Sequence, residues 1–354
     1  MKILIIVNTL QYGGAERQAV VDANALADAG YQVTVGYNEK GALLNLLSKS
    51  VKRHMIESKN VIVASVLLFR HLLYNRYDII HSHMFWAERV SAMPGKLTGH
   101  TVIFNEHGLG LWRKWYHIIT MKIISRFADR IIASCHANRT VRLQREKLDS
   151  KKVVTIYNSC NTTRSTADSP DFFQKGRIFT IGFVGRFSPV KRLGMFIDVA
   201  ERLKHIIPDF RIVLVGDGEE RRSIEEEIAK KNLTKYFHFP GFILNIEQYY
   251  KSFDVFLLPS RIEGLSIALL EAGAFGIPAI AFNVGGNSEI IQDGITGYLI
   301  PDNDIHRLVE KIVYLYENHD KRDLLGLAAQ DYITKTFSES RRLSALQNIY
   351  NNLC

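Results

Sequence analysis

Cysteine is scarce in this chain. Only Cys135, Cys160 and Cys354 occur, an odd number without C-x-x-C spacing, which argues against a disulfide framework or a zinc site and fits a reducing compartment. Long apolar runs are missing too. A stretch such as Val61 to Phe69 carries no charge, yet it falls far short of the roughly 20 residues that span a bilayer, so no transmembrane helix is expected. The N-terminus has no signal-peptide profile. A single Lys2 leads into the apolar run Ile3 to Val7, which meets polar Asn8, and this reads as a first strand. A cytoplasmic protein is therefore expected. The glycines after that strand do not form G-x-G-x-x-G, and no RNP or helix-turn-helix signature is found, so nicotinamide, flavin and nucleic-acid readings lack support. Internal repeats and low-complexity tracts are absent.

What remains is an ordinary globular composition, 47% hydrophobic and 23% charged over 354 residues, a length that predicts two folded domains. The net charge of +9 favours anionic partners. Between Leu111 and Lys147 nine Lys or Arg residues face only Asp129 and Glu146, which concentrates most of that excess in one segment.

Short Ile- and Val-rich runs alternate with helical patterns. KILIIVN, YQVTVGY, YDIIHS, HTVIFN, DRIIAS and KVVTIY punctuate the first half; RIFTIGFVG, FRIVLVG, YFHF, FDVFLLP, IPAIAF and GYLI punctuate the second. The rhythm is βαβ, which predicts two α/β domains with parallel sheets covered on both faces. The expected boundaries are a first domain over 1–160, a polar linker over 161–177, a second domain over 178–335 and a C-terminal helix over 336–354.

Several motifs carry chemistry. Gly13 and Gly14 follow the first strand and precede a helix, where backbone amides and the helix N-terminus can meet phosphate or sugar; a simple tight turn is the alternative. Arg186 and Lys191, in GFVGRFSPVKRL, stand past a strand end, where open α/β sheets bind ligands. Their fork and point charge suit a diphosphate, whereas an isolated pair reads as a solvated turn. Glu263 sits in a loop, and Glu271 is expected two turns into an apolar helix, where a carboxylate needs polar partners such as ribose or sugar hydroxyls. The alternative is an acid favoured by the helix dipole. Gly285 and Gly286 offer a second phosphate-facing turn.

GGAE, GFVGRFSPVKRL, LVGDGEER, EGLSIALLEAGAFGIP and GGNSEII together resemble the retaining GT-B glycosyltransferases of family 4, and the resemblance covers essentially the whole chain. It implies two Rossmann-like doubly wound domains facing a central cleft, the first on the acceptor side and the second binding a nucleotide sugar. It also implies roles. Arg186 and Lys191 would hold the donor diphosphate, Glu271 the ribose, and Glu263 the transferred sugar. Gly13, Gly14, Gly285 and Gly286 would line the donor, and His107 would face the reacting sugar. His81 and His83 match a second histidine-bearing strand end. The chain departs from the common pattern at Leu265 and Ile267, and YNSCN lacks an Asn-Gly turn, so Asn158 and Asn161 are not carried over as site residues.

The expected activity is transfer of a sugar, hexosyl or N-acetylhexosaminyl, from a nucleotide diphosphate sugar to a glycan or lipid-linked acceptor, in bacterial surface polysaccharide synthesis. A UDP-sugar is favoured over a GDP-sugar. No cofactor is required, because two cations can neutralise the leaving group. Epimerase, phosphorylase and nucleic-acid-binding readings are the alternatives. No metal site is expected: His81 and His83 lack companions with ligand spacing, and Asp302-Asn303-Asp304 precedes a helix, where Asp is a favoured cap. In LWRKWYHIITMKIISRF, Trp112, Trp115, Ile119, Ile123 and Phe127 recur at helical spacing among basic residues. That pattern fits either peripheral docking at an anionic membrane or a buried helix with a basic rim.

Overall fold

The computed structural model of the protein describes residues 1–11, 13–160, 178–243 and 245–353, so the expected linker lies outside the described residues. The chain forms two compact units, Met1–Ser159 with Glu339–Cys354, and Cys160–Ser338.

The first unit contains β1 (Lys2–Thr9), α1 (Gly14–Asp28), β2 (Gln32–Glu39), β3 (Lys52–Met55), α2 (Val61–Tyr74), β4 (Ile79–His83), α3 (Met84–Leu97), β5 (Thr101–Glu106), α4 (Trp115–Ile124), β6 (Arg130–Ala133), α5 (His136–Gln144) and β7 (Val153–Thr155). The strands build one parallel sheet in the order β3-β2-β1-β4-β5-β6-β7. The alternation along β1 shows why its stretch from Ile3 to Val7 is unbroken Ile, Leu and Val. Ile3, Ile5 and Val7 pack with Ala19, Val20, Leu346 and Tyr350 on one face. Leu4 and Ile6 pack with Ala64, Leu68, Ala87 and Val90 on the other. Both faces are dry, so every position is apolar.

The second unit contains β8 (Phe179–Val184), α6 (Gly194–Leu203), β9 (Phe210–Val215), α7 (Arg221–Lys230), β10 (Phe237–Gly241), α8 (Glu247–Ser252), β11 (Val255–Leu258), α9 (Ile267–Ala274), β12 (Ala279–Phe282), α10 (Asn287–Ile290), β13 (Gly297–Ile300), α11 (Ile305–Glu317) and α12 (His319–Thr336). Its parallel sheet runs β10-β9-β8-β11-β12-β13. A last helix, α13 (Glu339–Leu353), belongs to the first unit, where Leu346 and Tyr350 join the β1 core.

Every apolar run read as a strand forms one. β3 was not foreseen, because KRHM presents charge and no Ile or Val; as an edge strand it has little to bury. In each unit the strand order reverses beside the first strand, between β1 and β4 and between β8 and β11. Ligands of doubly wound sheets bind outside the carboxyl ends of the strands at such a reversal.

Candidate active site

In the second unit the sequence-predicted residues gather past the ends of β8 and β11. The chain leaves β8 through Gly185, and the carbonyl of Gly185 is so close to Gly216, at φ 138°, that any side chain on Gly216 would strike it. The tight packing fixes the turn that follows. Arg186 is exposed there and makes no hydrogen bond or ion pair among the described residues. A short 3₁₀ turn over Pro189–Lys191 then presents Lys191, whose Nζ lies 2.7 Å from Glu263 Oε1. The Arg261 amide donates to the Val190 carbonyl at 2.8 Å, which ties the two loops together beside this pair. Glu263 is only 8% exposed, so its charge depends on Lys191.

Glu271 lies one turn inside α9 rather than two, because the helix starts at Ile267 behind a Ser266 cap. Its Oε2 accepts a hydrogen bond from the Tyr250 hydroxyl at 2.8 Å. Tyr250 is wholly buried and its ring stacks on Phe275 with centroids 5.4 Å apart, so the hydroxyl that orients the carboxylate is itself immobile. The Gly286 amide is not open to phosphate, since it donates to the Gly264 carbonyl at 2.9 Å and joins the glycine turn to the Glu263 loop. Gly285 takes φ 54°, the left-handed conformation that favours glycine. The Asp-Asn-Asp run is used structurally: Asp304 caps α11 by accepting from the Arg307 amide at 3.0 Å, and Asp302 pairs with Arg192.

In the first unit Gly13 caps α1, and a side chain on it would collide with the Glu16 carboxylate, which occupies the helix N-terminus. Past the ends of β4 and β5 lies a buried polar network. His107 Nδ1 is 3.1 Å from Asn158 Oδ1, and His107 Nε2 is 2.9 Å from His83 Nδ1. The Asn158 oxygen accepts, so His107 carries its proton on Nδ1 and receives the His83 proton at Nε2. His81 Nδ1 meets the Tyr350 hydroxyl at 2.7 Å. Beside them the Arg342 guanidinium grips Asp22 through two bonds of 2.6 Å and donates to Asn105 at 2.9 Å. Burial lowers the histidines toward neutrality, His81 to about 4 and His107 to about 3, with His83 also well below its ordinary range. For Asp22 burial opposes ionisation, but Arg342 outweighs it and holds the carboxyl low. Met84, next after His83, holds φ 70°, a costly conformation for a non-glycine residue. Among the described residues no group of His, Cys, Asp or Glu is arranged to hold a metal ion.

The loop after His107 is held from below by charge. Arg113 reaches Glu106 at 2.6 Å and Glu146 at 2.9 Å, while Arg142 reaches Glu146 at 2.7 Å and donates to the Leu109 carbonyl. Burial and the neighbouring Glu106 charge raise the Glu88 carboxyl well above its usual range. Two of the nine basic residues in this segment are thus core, not surface. Trp112 precedes α4 and Phe127 follows it, so neither shares a helical face with Trp115.

Two family models match, "Glycosyltransferase Family 4" over residues 12–164 and "Glycosyl transferases group 1" over residues 166–332. The chain belongs to the family 4 glycosyltransferases. Curated relatives include the UDP-Gal:alpha-D-GlcNAc-diphosphoundecaprenol alpha-1,3-galactosyltransferase of Escherichia coli, 24% identical with 95% of this chain and 93% of that protein covered. Another is the 2-deoxystreptamine N-acetyl-D-glucosaminyltransferase of Niallia circulans, 25% identical with 74% and 73% covered. Among solved structures, Anabaena HepE in complex with UDP-glucose superposes with a TM-score of 0.88 at 22% identity, covering 99% of this chain and 100% of that one. The glycosyltransferase therefore has the GT-B fold.

Sequence reasoning missed several residues of this glycosyltransferase. Tyr250 carried no motif of its own. Asp22 and Arg342 did leave a signal: each sits at helical spacing with apolar residues, Asp22 with Ala19 and Leu26, Arg342 with Leu346 and Tyr350. Asn158, set aside for want of an Asn-Gly turn, holds His107 in place.

Proposed function

We propose that the enzyme transfers a hexosyl or N-acetylhexosaminyl unit from a UDP-sugar to a glycan or lipid-linked acceptor, with retention at the anomeric carbon, in bacterial surface polysaccharide synthesis. The observation that carries this reading is the Lys191–Glu263 contact of 2.7 Å at the end of β8 and β11, beside exposed Arg186. Breaking the bond from the anomeric carbon to phosphate develops negative charge on the departing diphosphate. Arg186 and Lys191 neutralise it, which is the largest service an enzyme can give such a leaving group. When the diphosphate draws Lys191 away, Glu263 is released to accept hydrogen bonds from the sugar hydroxyls. Glu271, oriented by Tyr250, accepts from the ribose.

Gly13, Gly14, Gly285 and Gly286 border the donor, and His107 shapes the sugar pocket as a neutral ring. The UDP choice draws on HepE, solved with UDP-glucose. Retention draws on the family resemblance and on the Escherichia coli relative, whose name gives an alpha linkage made from UDP-Gal. That name also supports a lipid-linked acceptor and, with it, the proposal that the enzyme works in the cytoplasm at the inner face of the membrane. Among the described residues no helix is long and apolar enough to cross it. Screening UDP- and GDP-sugars for hydrolysis tests the donor, and proton NMR of the product tests the anomer. Preference for a GDP-sugar or a β product would overturn the corresponding part.

A further inference from the structure

The helices α2, α3 and α4 lie on one face of the first sheet, over Leu4, Ile6, Val102, Phe104 and Ile131. Their outer sides are unusually apolar. α4 buries only Met121 completely, while Trp115, Ile119 and Ile123, spaced four residues apart, are 72%, 49% and 50% exposed. Tyr116 is 44% exposed beside them, and Trp112 in the preceding loop is 63% exposed, its ring set edge-on to Phe85 of α3. The neighbouring helices continue the pattern with Ile62 and Tyr74 on α2 and Leu97 on α3. On the opposite face of the sheet, α1 and α13 expose no large hydrophobic side chain. The asymmetry is too strong for scattered surface residues.

Charge selects the occupant. From Gly108 to Phe127 the sequence has no Asp or Glu. Lys114, Lys122 and Arg126 are exposed around the aromatic cluster and form no ion pair among the described residues. A short helix with Trp, Tyr and Ile on its outer side and a basic rim matches the composition of elements that lie in a membrane interface. Anionic headgroups would satisfy the rim while the rings enter the headgroup layer. A protein partner of ordinary composition would leave those cations unmatched.

We infer that the α4 face, with the Trp112 loop, docks on the surface of an anionic phospholipid bilayer. The inference deepens the proposed use of a membrane-borne acceptor by naming the surface that meets the membrane. Docking itself requires neither donor nor acceptor.

Flotation of the full-length protein with vesicles of phosphatidylglycerol and phosphatidylcholine, against vesicles of phosphatidylcholine alone, tests it. The wild type should float with the anionic vesicles and be released by salt, with a blue shift of tryptophan fluorescence on binding. Replacing Lys122→Glu with Arg126→Glu should weaken partitioning by at least about fivefold per residue, and Trp112→Ser with Trp115→Ser should abolish the blue shift. Lys230→Glu on α7 should change nothing. UDP binding without vesicles, measured on the same variants, separates failed docking from a failed transferase reading. Wild-type protein that floats with neither vesicle, or variants that float as well as wild type, would overturn the inference. So would a dimer in sedimentation that dissociates on Trp115→Ser, because a second copy would then cover the patch.

Discussion

Lys191 Nζ lies 2.7 Å from Glu263 Oε1, so the cation proposed for the diphosphate and the acid proposed for the sugar are held against each other. Glu263 is nearly buried and depends on Lys191 for its counter-charge, so opening the pair is costly unless another cation or hydrogen-bond donors replace Lys191. Lys191→Ala should therefore lower kcat/KM for donor hydrolysis by roughly 100- to 1,000-fold, in line with loss of one preorganised charge contact. Lys191→Arg should recover part of it. With Arg186 and Lys191 proposed as the two cations that meet the leaving group, activity should survive EDTA. Loss of activity on chelation, restored by magnesium, would contradict this arrangement.

Tyr250 acts through Glu271, as a positioning residue. Tyr250→Phe keeps the ring stacked on Phe275 and removes only the hydroxyl 2.8 Å from Glu271 Oε2. UDP should bind about tenfold more weakly, and discrimination against 2′-deoxy-UDP should shrink, since the carboxylate would lose the orientation proposed for it toward ribose. Calorimetry with both nucleotides reads the effect. Equal weakening for UDP and 2′-deoxy-UDP would assign Tyr250 a merely structural part.

The contrast between these residues shows what the sequence made legible. Lys191, Glu263 and Glu271 stood out because motif position and apolar surroundings demanded a partner for each charge. Strands were legible for the same reason, since parallel strands with two dry faces must be written in Ile and Val. Charge counting was uninformative at Arg113 and Arg142, which added to the positive excess of the segment but are core ion pairs; their acids, Glu106 and Glu146, lie up to 36 residues away in sequence. Tyr250 was hidden because a tyrosine among aromatics reads as packing until its hydroxyl is placed. Gly286 was assigned an open amide, and nothing in a local pattern announces that the Gly264 carbonyl takes it.

The buried charge cluster under the His107 loop should be costly to break. Arg142→Ala leaves Glu106 and Glu146 sharing a single arginine in the core, and should destabilise the first unit by about 3–5 kcal/mol. Lys122→Ala, at an exposed position of α4, should stay within about 0.5 kcal/mol of wild type. Urea denaturation followed by circular dichroism compares the two. Equal midpoints would show that the cluster contributes nothing net.

The three histidines make the first unit acid-sensitive. His81 is lowered to about 4 and His107 to about 3 from an ordinary 6.5, with burial the main cause. The unfolded chain therefore binds protons that the native protein refuses as pH falls below 6.5. Their contribution to stability is fully present above that value and is lost on acidification toward about 4. Asp22, lowered by Arg342, loses its own contribution only at still lower pH. The melting temperature should fall between these limits, and His81→Gln should flatten the slope. A flat profile in the wild type would contradict neutral burial. For the same reason activity should show no His107 titration near neutrality.

Titration of UDP into wild-type, Lys191→Ala and Glu271→Ala proteins by isothermal calorimetry tests the donor site most directly. Binding by the wild type, with a clear loss of affinity in both variants and the fold retained by circular dichroism, is the expected result. Unchanged affinity in both variants would place the nucleotide elsewhere and refute the site.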